Sequence, residues 1–234
     1  MSGPVALLGA DRFVPATEPL DRELLAGTGK ARPRVVLLPT GGSSERGVDW
    51  LDWTTVVMHH FEAIGAEVEP LLISDRADAD DPASAQAVGE ADLIMVSGAR
   101  PGAVLDVLWG SRTWEAARLA HQRGAALVAC RAGAMVLGDR CLEVRRHLGW
   151  PVRWERAFGL VRGAVIAPRY DRMPEPLMAF FMLQAPADVA VLGIDERAAL
   201  VGRNGAWQVR GEGRVTVWRG RRRNRHRPGD VLRV

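Results

Sequence analysis

Residues 125–138 read Ala-Ala-Leu-Val-Ala-Cys-Arg-Ala-Gly-Ala-Met-Val-Leu-Gly, an apolar run that breaks at Cys130-Arg131 and resumes on small residues. An apolar run bounded by a turn predicts a buried strand, and Ala132-Gly133-Ala134 leave room for a following helix to pass close to its neighbours. This is the outline of a nucleophile elbow, which presents its apex residue to a cleft beside the unpaired N–H groups of the helix. The apex here is Arg131. A guanidinium is permanently protonated and only donates hydrogen bonds, so it can grip a carboxylate or phosphate but cannot attack a carbonyl carbon. The adjacent Cys130 has nucleophile chemistry, but side chains alternate along a strand, so its thiol is expected to turn into the core. Ser97, at the end of the apolar run Leu93–Ser97, meets the same objection.

Three further segments end apolar runs with polar or charged residues: Ser97-Gly98-Ala99-Arg100-Pro101, Pro168-Arg169-Tyr170-Asp171-Arg172 and Gly193-Ile194-Asp195-Glu196. In a parallel sheet covered by helices, ligands bind at the carboxyl ends of strands, which is where these segments fall.

Together these segments resemble the cyanophycinase and aspartyl dipeptidase (peptidase E) family of serine peptidases, whose fold is that of the class I glutamine amidotransferases. The family elbow reads Ser-Ala-Gly-Ala, so Arg131 stands in the place of its serine. Its second signature, Pro-His-Phe-Asp-Arg, aligns with Pro168–Arg172, with Tyr170 for phenylalanine and Arg169 for the histidine. Its Gly-Ile-Asp-Glu segment is intact, and Glu196 occupies the position of the acid that partners the histidine. A Gly-Gly-Asp-Glu-Phe-like turn aligns with Gly9–Phe13, departing at Ala10 and Arg12. The resemblance implies an oxyanion hole at Gly98, Ala99 and Ala132, with Arg100 on the rim; Ala99 resists the positive φ that a glycine there could adopt. It also implies the fold, a three-layer α/β/α arrangement on a mostly parallel sheet, and the homodimers common in the family.

An arginine has no accessible neutral form with which to take a proton, so the general base is replaced as well as the nucleophile. The expected function is therefore that of a noncatalytic homologue whose cleft takes a small anionic or peptide-like ligand. Arg131 and Arg169 could equally fill the site as ion-pair partners of Glu196, Asp171 and Asp195. Two other readings stand beside it: an active hydrolase of aspartyl-type peptides using Cys130, and a nucleic-acid binder acting through Arg219–Arg227.

The supporting elements are legible around these segments. Of 234 residues 47% are apolar, enough for a single domain over residues 1–234 with a substantial core. Trp50, Trp53, Val57, Phe61 and Ile64 recur at helical spacing before Gly65, predicting an amphipathic helix in which one of His59 and His60 is buried and the other wet. Ser74–Pro82 reads as an acidic solvated loop without a calcium-loop pattern. Gly41-Gly42 lacks both a GxGxxG pattern and a phosphate-loop lysine, so no cofactor or metal is expected. The two cysteines, Cys130 and Cys141, are expected as free thiols. No leader or membrane-spanning segment is evident, which makes a cytoplasmic location the default and a membrane partner unexpected. The net charge of +3 is local: Arg219–Arg227 holds six arginines and no acid, and reads as an exposed hairpin tip with no aromatic residue to stack on a base.

Overall fold

A computed structural model describes residues 2–10, 15–41, 50–142, 153–203 and 205–233. Asp11, Arg12, Phe13 and Gly42, and the side chain of Trp50, lie outside the described residues.

Strands alternate with helices through the first part of the chain: β1 (Val5–Leu8), α1 (Glu18–Ala26), β2 (Arg34–Thr40), α2 (Trp50–Ala63), β3 (Glu67–Pro70), α3 (Arg76–Asp80), α4 (Pro82–Gly89), β4 (Leu93–Gly98), α5 (Pro101–Leu108), α6 (Arg112–Arg123), β5 (Ala126–Ala129) and α7 (Arg131–Val136). A short ribbon of β6 (Arg140–Leu142) and β7 (Trp154–Arg156) follows, then β8 (Ala164–Pro168), α8 (Glu175–Met182) and β9 (Ala190–Ile194). Five strands complete the fold: β10 (Ala198–Arg203), β11 (Ala206–Gly211), β12 (Val215–Arg219), β13 (Arg222–His226) and β14 (Val231–Arg233).

The main sheet has the order β14-β11-β10-β1-β5-β4-β2-β3. The strands from β1 to β3 in that order run parallel, while β10, β11 and β14 add antiparallel pairs at one edge. A second sheet, β13-β12-β9-β8, is parallel only between β8 and β9. Alternate residues of the central strands feed two cores. Leu7, Val36, Ile94 and Leu127 pack with α3 to α7, while Ala6, Leu37, Met95 and Val128 pack with α1 and α2. The result is the expected three-layer α/β/α arrangement, and burial on both faces explains why β4 reads as unbroken apolar sequence.

The amphipathic helix lies where its spacing predicts, with Trp53, Val57 and Phe61 buried and Gly65, at φ 96°, ending it. His60 is buried and His59 exposed. The partner of His60 is Asp21 on α1, whose Oδ2 lies 2.9 Å from Nε2. Ser74–Pro82 is a correction. It contains α3 and the start of α4, because Asp75 accepts hydrogen bonds from the N–H groups of Ala77 and Asp78, and Asp81 accepts from that of Ala83. Those aspartates cap helices. Ser111 caps α6 in the same way, accepting from the N–H of Trp114 at 3.1 Å. Among the described residues, no helix is long and apolar enough to cross a membrane.

Candidate functional site

The elbow exists, and close packing dictates its small residues. β5 ends in Cys130, which is extended at φ −133° and ψ 164°, and the next residue, Arg131, turns to φ 54° and opens α7. A side chain at Gly133 would place its Cβ 2.3 Å from the carbonyl oxygen of Val96 and 3.0 Å from the Cα of Ser97. α7 can therefore lie against the end of β4 only with glycine at that position. Gly98 is equally confined: a Cβ there would sit 2.2 Å from Cγ2 of Val104 and 3.6 Å from Cβ of Ala132. The two backbone segments implied as the oxyanion hole are thus neighbours. Among the described residues the non-glycine positions at positive φ are Arg131 and Arg169, so the backbone does not demand that conformation of Ala99. Arg100 is exposed at the start of α5.

The second arginine is built the same way. β8 ends at Pro168, and Arg169 follows at φ 55°, its N–H bonded to the carbonyl of Gly9 at 3.1 Å. Gly9 extends β1, whose Leu7 pairs with Ala129 of β5, so the parallel register sets Gly9 level with Arg131. A Cβ at Gly9 would fall 1.9 Å from the carbonyl oxygen of Asp195. This one glycine therefore packs together the strand ends that carry Arg131, Arg169 and Asp195-Glu196. Both left-handed arginines occupy a conformation that is strained for any residue with a Cβ.

The acid is held by a residue that sequence reasoning passed over. Arg172 donates through Nε to Oε2 of Glu196 at 2.7 Å, and its Nη2 pairs with the same oxygen. The N–H of Glu196 donates to Oδ1 of Asp171 at 2.8 Å, and Oδ2 of Asp195 accepts the N–H of Arg214 at 3.0 Å. Partial burial, with Asp171 nearby, holds the Asp195 carboxyl above the usual aspartate range. The signal for Arg172 lay in the sequence, since Asp171 and Arg172 both belong to the matched Pro168–Arg172 segment, but the spacing does not say which arginine meets the glutamate.

Tyr170 packs its ring where a side chain at Gly193 would be, with Cδ2 2.2 Å from that position. Its hydroxyl accepts the indole N–H of Trp218 on β12 at 2.9 Å, and the guanidinium carbon of Arg223 on β13 lies 5.5 Å from the Trp218 ring centre. The basic cluster is therefore more than a hairpin tip: Arg222–His226 form an edge strand paired with β12. Cys130 is fully buried among Ala6, Leu8 and Val128, and Cys141 is buried as well. Ser97 is fully buried, and its hydroxyl has no hydrogen-bond partner among the described residues. No group of three potential metal ligands occurs among the described residues.

The chain is similar to the crystal structure of a peptidase from an acI-B1 Actinobacterium, at 27% identity and a TM-score of 0.87, over 100% of this chain and 98% of that one. It is also similar to a protein of Listeria monocytogenes EGD-e provisionally designated peptidase E, at 16% identity and a TM-score of 0.68, over 90% of this chain and 99% of that one. The second likeness concerns the fold alone. No match is found among curated proteins. The family's signature segments meet at one end of the strands, and the model of peptidase family S51 matches residues 7–210: this chain belongs to peptidase family S51.

Proposed function

We propose that this member of the S51 peptidases is a noncatalytic homologue whose cleft takes an anionic ligand, a carboxylate-bearing peptide or a small carboxylate or phosphate. The observation that carries this reading is Arg131 at φ 54°. The elbow keeps its strained geometry, but its apex holds a side chain that binds anions and cannot attack. Arg169, strained in the same way, stands where the family has its base. Without nucleophile and base, binding and an oxyanion hole alone leave a residual acceleration of roughly 10³ to 10⁴ over water. The burial of Cys130 weighs against the thiol as a substitute nucleophile.

The test is hydrolysis of aspartyl dipeptides and β-aspartyl-arginine by the native protein, by Cys130→Ala and by Arg131→Ser combined with Arg169→His. No native turnover is expected, together with calorimetric binding of an aspartyl dipeptide that Arg131→Ala weakens. Turnover by the native protein overturns the reading, and its loss in Cys130→Ala identifies the thiol.

A further inference from the structure

The arginines of the β12–β13 hairpin do not form one patch, because the strand register divides them. Arg219 pairs with Arg222 beside the turn, whereas Thr216 pairs with Arg225 at the other end of the hairpin. Thr216 also pairs with Gly193 on β9, two residues before Asp195. Gly193, Thr216 and Arg225 therefore form a cross-strand row that shares one face of the second sheet, at the end where β9 runs into the candidate site. The face is the one covered by Tyr170, since the tyrosine ring lies directly over Gly193. The next row on that face is Val191, Trp218 and Arg223. There the Trp218–Tyr170 hydrogen bond joins the hairpin to the turn that begins with Arg169.

We propose that Arg225 is a second anionic anchor of the same cleft, so that the preferred ligand is an extended peptide carrying two acidic groups. This rests on the anion-binding reading of Arg131 and Arg169. Arg169 and Arg225 are both exposed, and both lie at the end of the second sheet where β8 and β9 run into the candidate site. Three strand spacings separate the end of β8, where Arg169 follows Pro168, from Arg225 on β13, about 14 Å, and an extended peptide advances roughly 3.3 Å per residue, so the acidic groups should stand about four residues apart. The Asp195 carboxyl beside this route feels both Arg214 and Arg225, so the guanidinium of Arg225 reaches the site electrostatically. The arginines near the turn, Arg219, Arg221 and Arg222, lie toward the opposite end of the sheet and take no part.

The experiment is calorimetric titration of the full chain with N-acetylated, C-amidated peptides of two aspartates separated by zero to five glycines, with a control in which the second aspartate is asparagine, and with a single-stranded oligonucleotide. The native protein should bind the peptides with three or four intervening glycines about fivefold more tightly than the control, the scale of one exposed charge-assisted contact. Arg225→Gln should abolish that preference without changing affinity for the control, and Arg225→Lys should retain most of it. Equal binding of all the peptides, or a preference that survives Arg225→Gln, overturns the second anchor and leaves the anion-binding reading standing. No binding of any peptide, including the control, overturns both. Binding only of a single-stranded oligonucleotide, lost in Arg225→Gln, overturns the peptide ligand in favour of nucleic acid.

Discussion

Arg172 holds Glu196 through two nitrogens on one carboxylate oxygen, while Asp171, its neighbour in the chain, accepts the N–H of the same glutamate. Glu196 is thereby fixed from the segment Pro168–Arg172, which also carries Arg169. The Arg172 side chain is 61% exposed and that of Glu196 23%, so solvent screens the pair and its contribution to stability is small. Arg172→Met should lower the urea midpoint only slightly, and 1 M salt should shrink the difference. A large fall in that midpoint would mean that the pair organises far more than one turn.

The strain at the two left-handed arginines predicts the opposite sign. A residue with a Cβ loses about 1 to 2 kcal/mol in this conformation, and glycine returns part of the gain through its freer unfolded chain. Arg131→Gly and Arg169→Gly should each stabilise the protein by about 0.5 to 1 kcal/mol in chemical denaturation. Arg131→Val should destabilise it, because a β-branched side chain tolerates positive φ least. Stabilisation by glycine together with loss of aspartyl dipeptide binding would show that stability is given up there for the guanidinium.

Gly133 and Gly89 form a matched pair of controls. At Gly133 a Cβ would meet the backbone of Val96, which cannot rotate aside, so Gly133→Ala should cost about 3 kcal/mol. At Gly89, in the last turn of α4, nothing lies within 4 Å, and Gly89→Ala should be neutral or stabilising by up to about 1 kcal/mol. Melting temperatures of the two variants side by side check the elbow packing without reference to any ligand.

The contrast between these two glycines also shows what the sequence could reveal. The elbow was legible because apolar run, break and small residues follow one another in the chain, and the same holds for β4, α2 and β8. Arg131 and Arg169 stood out because each follows the end of an apolar run inside a short segment that resembles a family signature, and both take a positive φ. What stayed hidden depends on contacts between distant segments. Gly9 packing on Asp195, Trp218 donating to Tyr170, Asp21 meeting His60 and the choice of Arg172 for Glu196 arise only when the strands take their register. The acidic stretch at 74–82 misled for a different reason, because composition cannot separate a solvated aspartate from one that caps a helix.

Two buried groups should give stability opposite dependences on pH. Burial lowers the pKa of His121 below its ordinary 6.5, so the unfolded chain takes up its proton first on acidification. His121 therefore costs stability as pH falls through 6.5 toward its folded value. Burial raises the pKa of Asp21 above its ordinary 3.8, despite the opposing hydrogen bond to His60, and its Oδ1 has no partner among the described residues. The folded state then binds the Asp21 proton more tightly, so this group costs stability as pH rises from 3.8 through its folded value. His121→Gln should reduce the fall in melting temperature between pH 7.5 and 5.5. Asp21→Asn, which keeps the shape and removes the buried charge, should reduce the loss on the alkaline side of pH 3.8. If both variants track the native melting profile from pH 4 to 8, burial does not shift these groups and the α1–α2 contact is more hydrated than its geometry indicates.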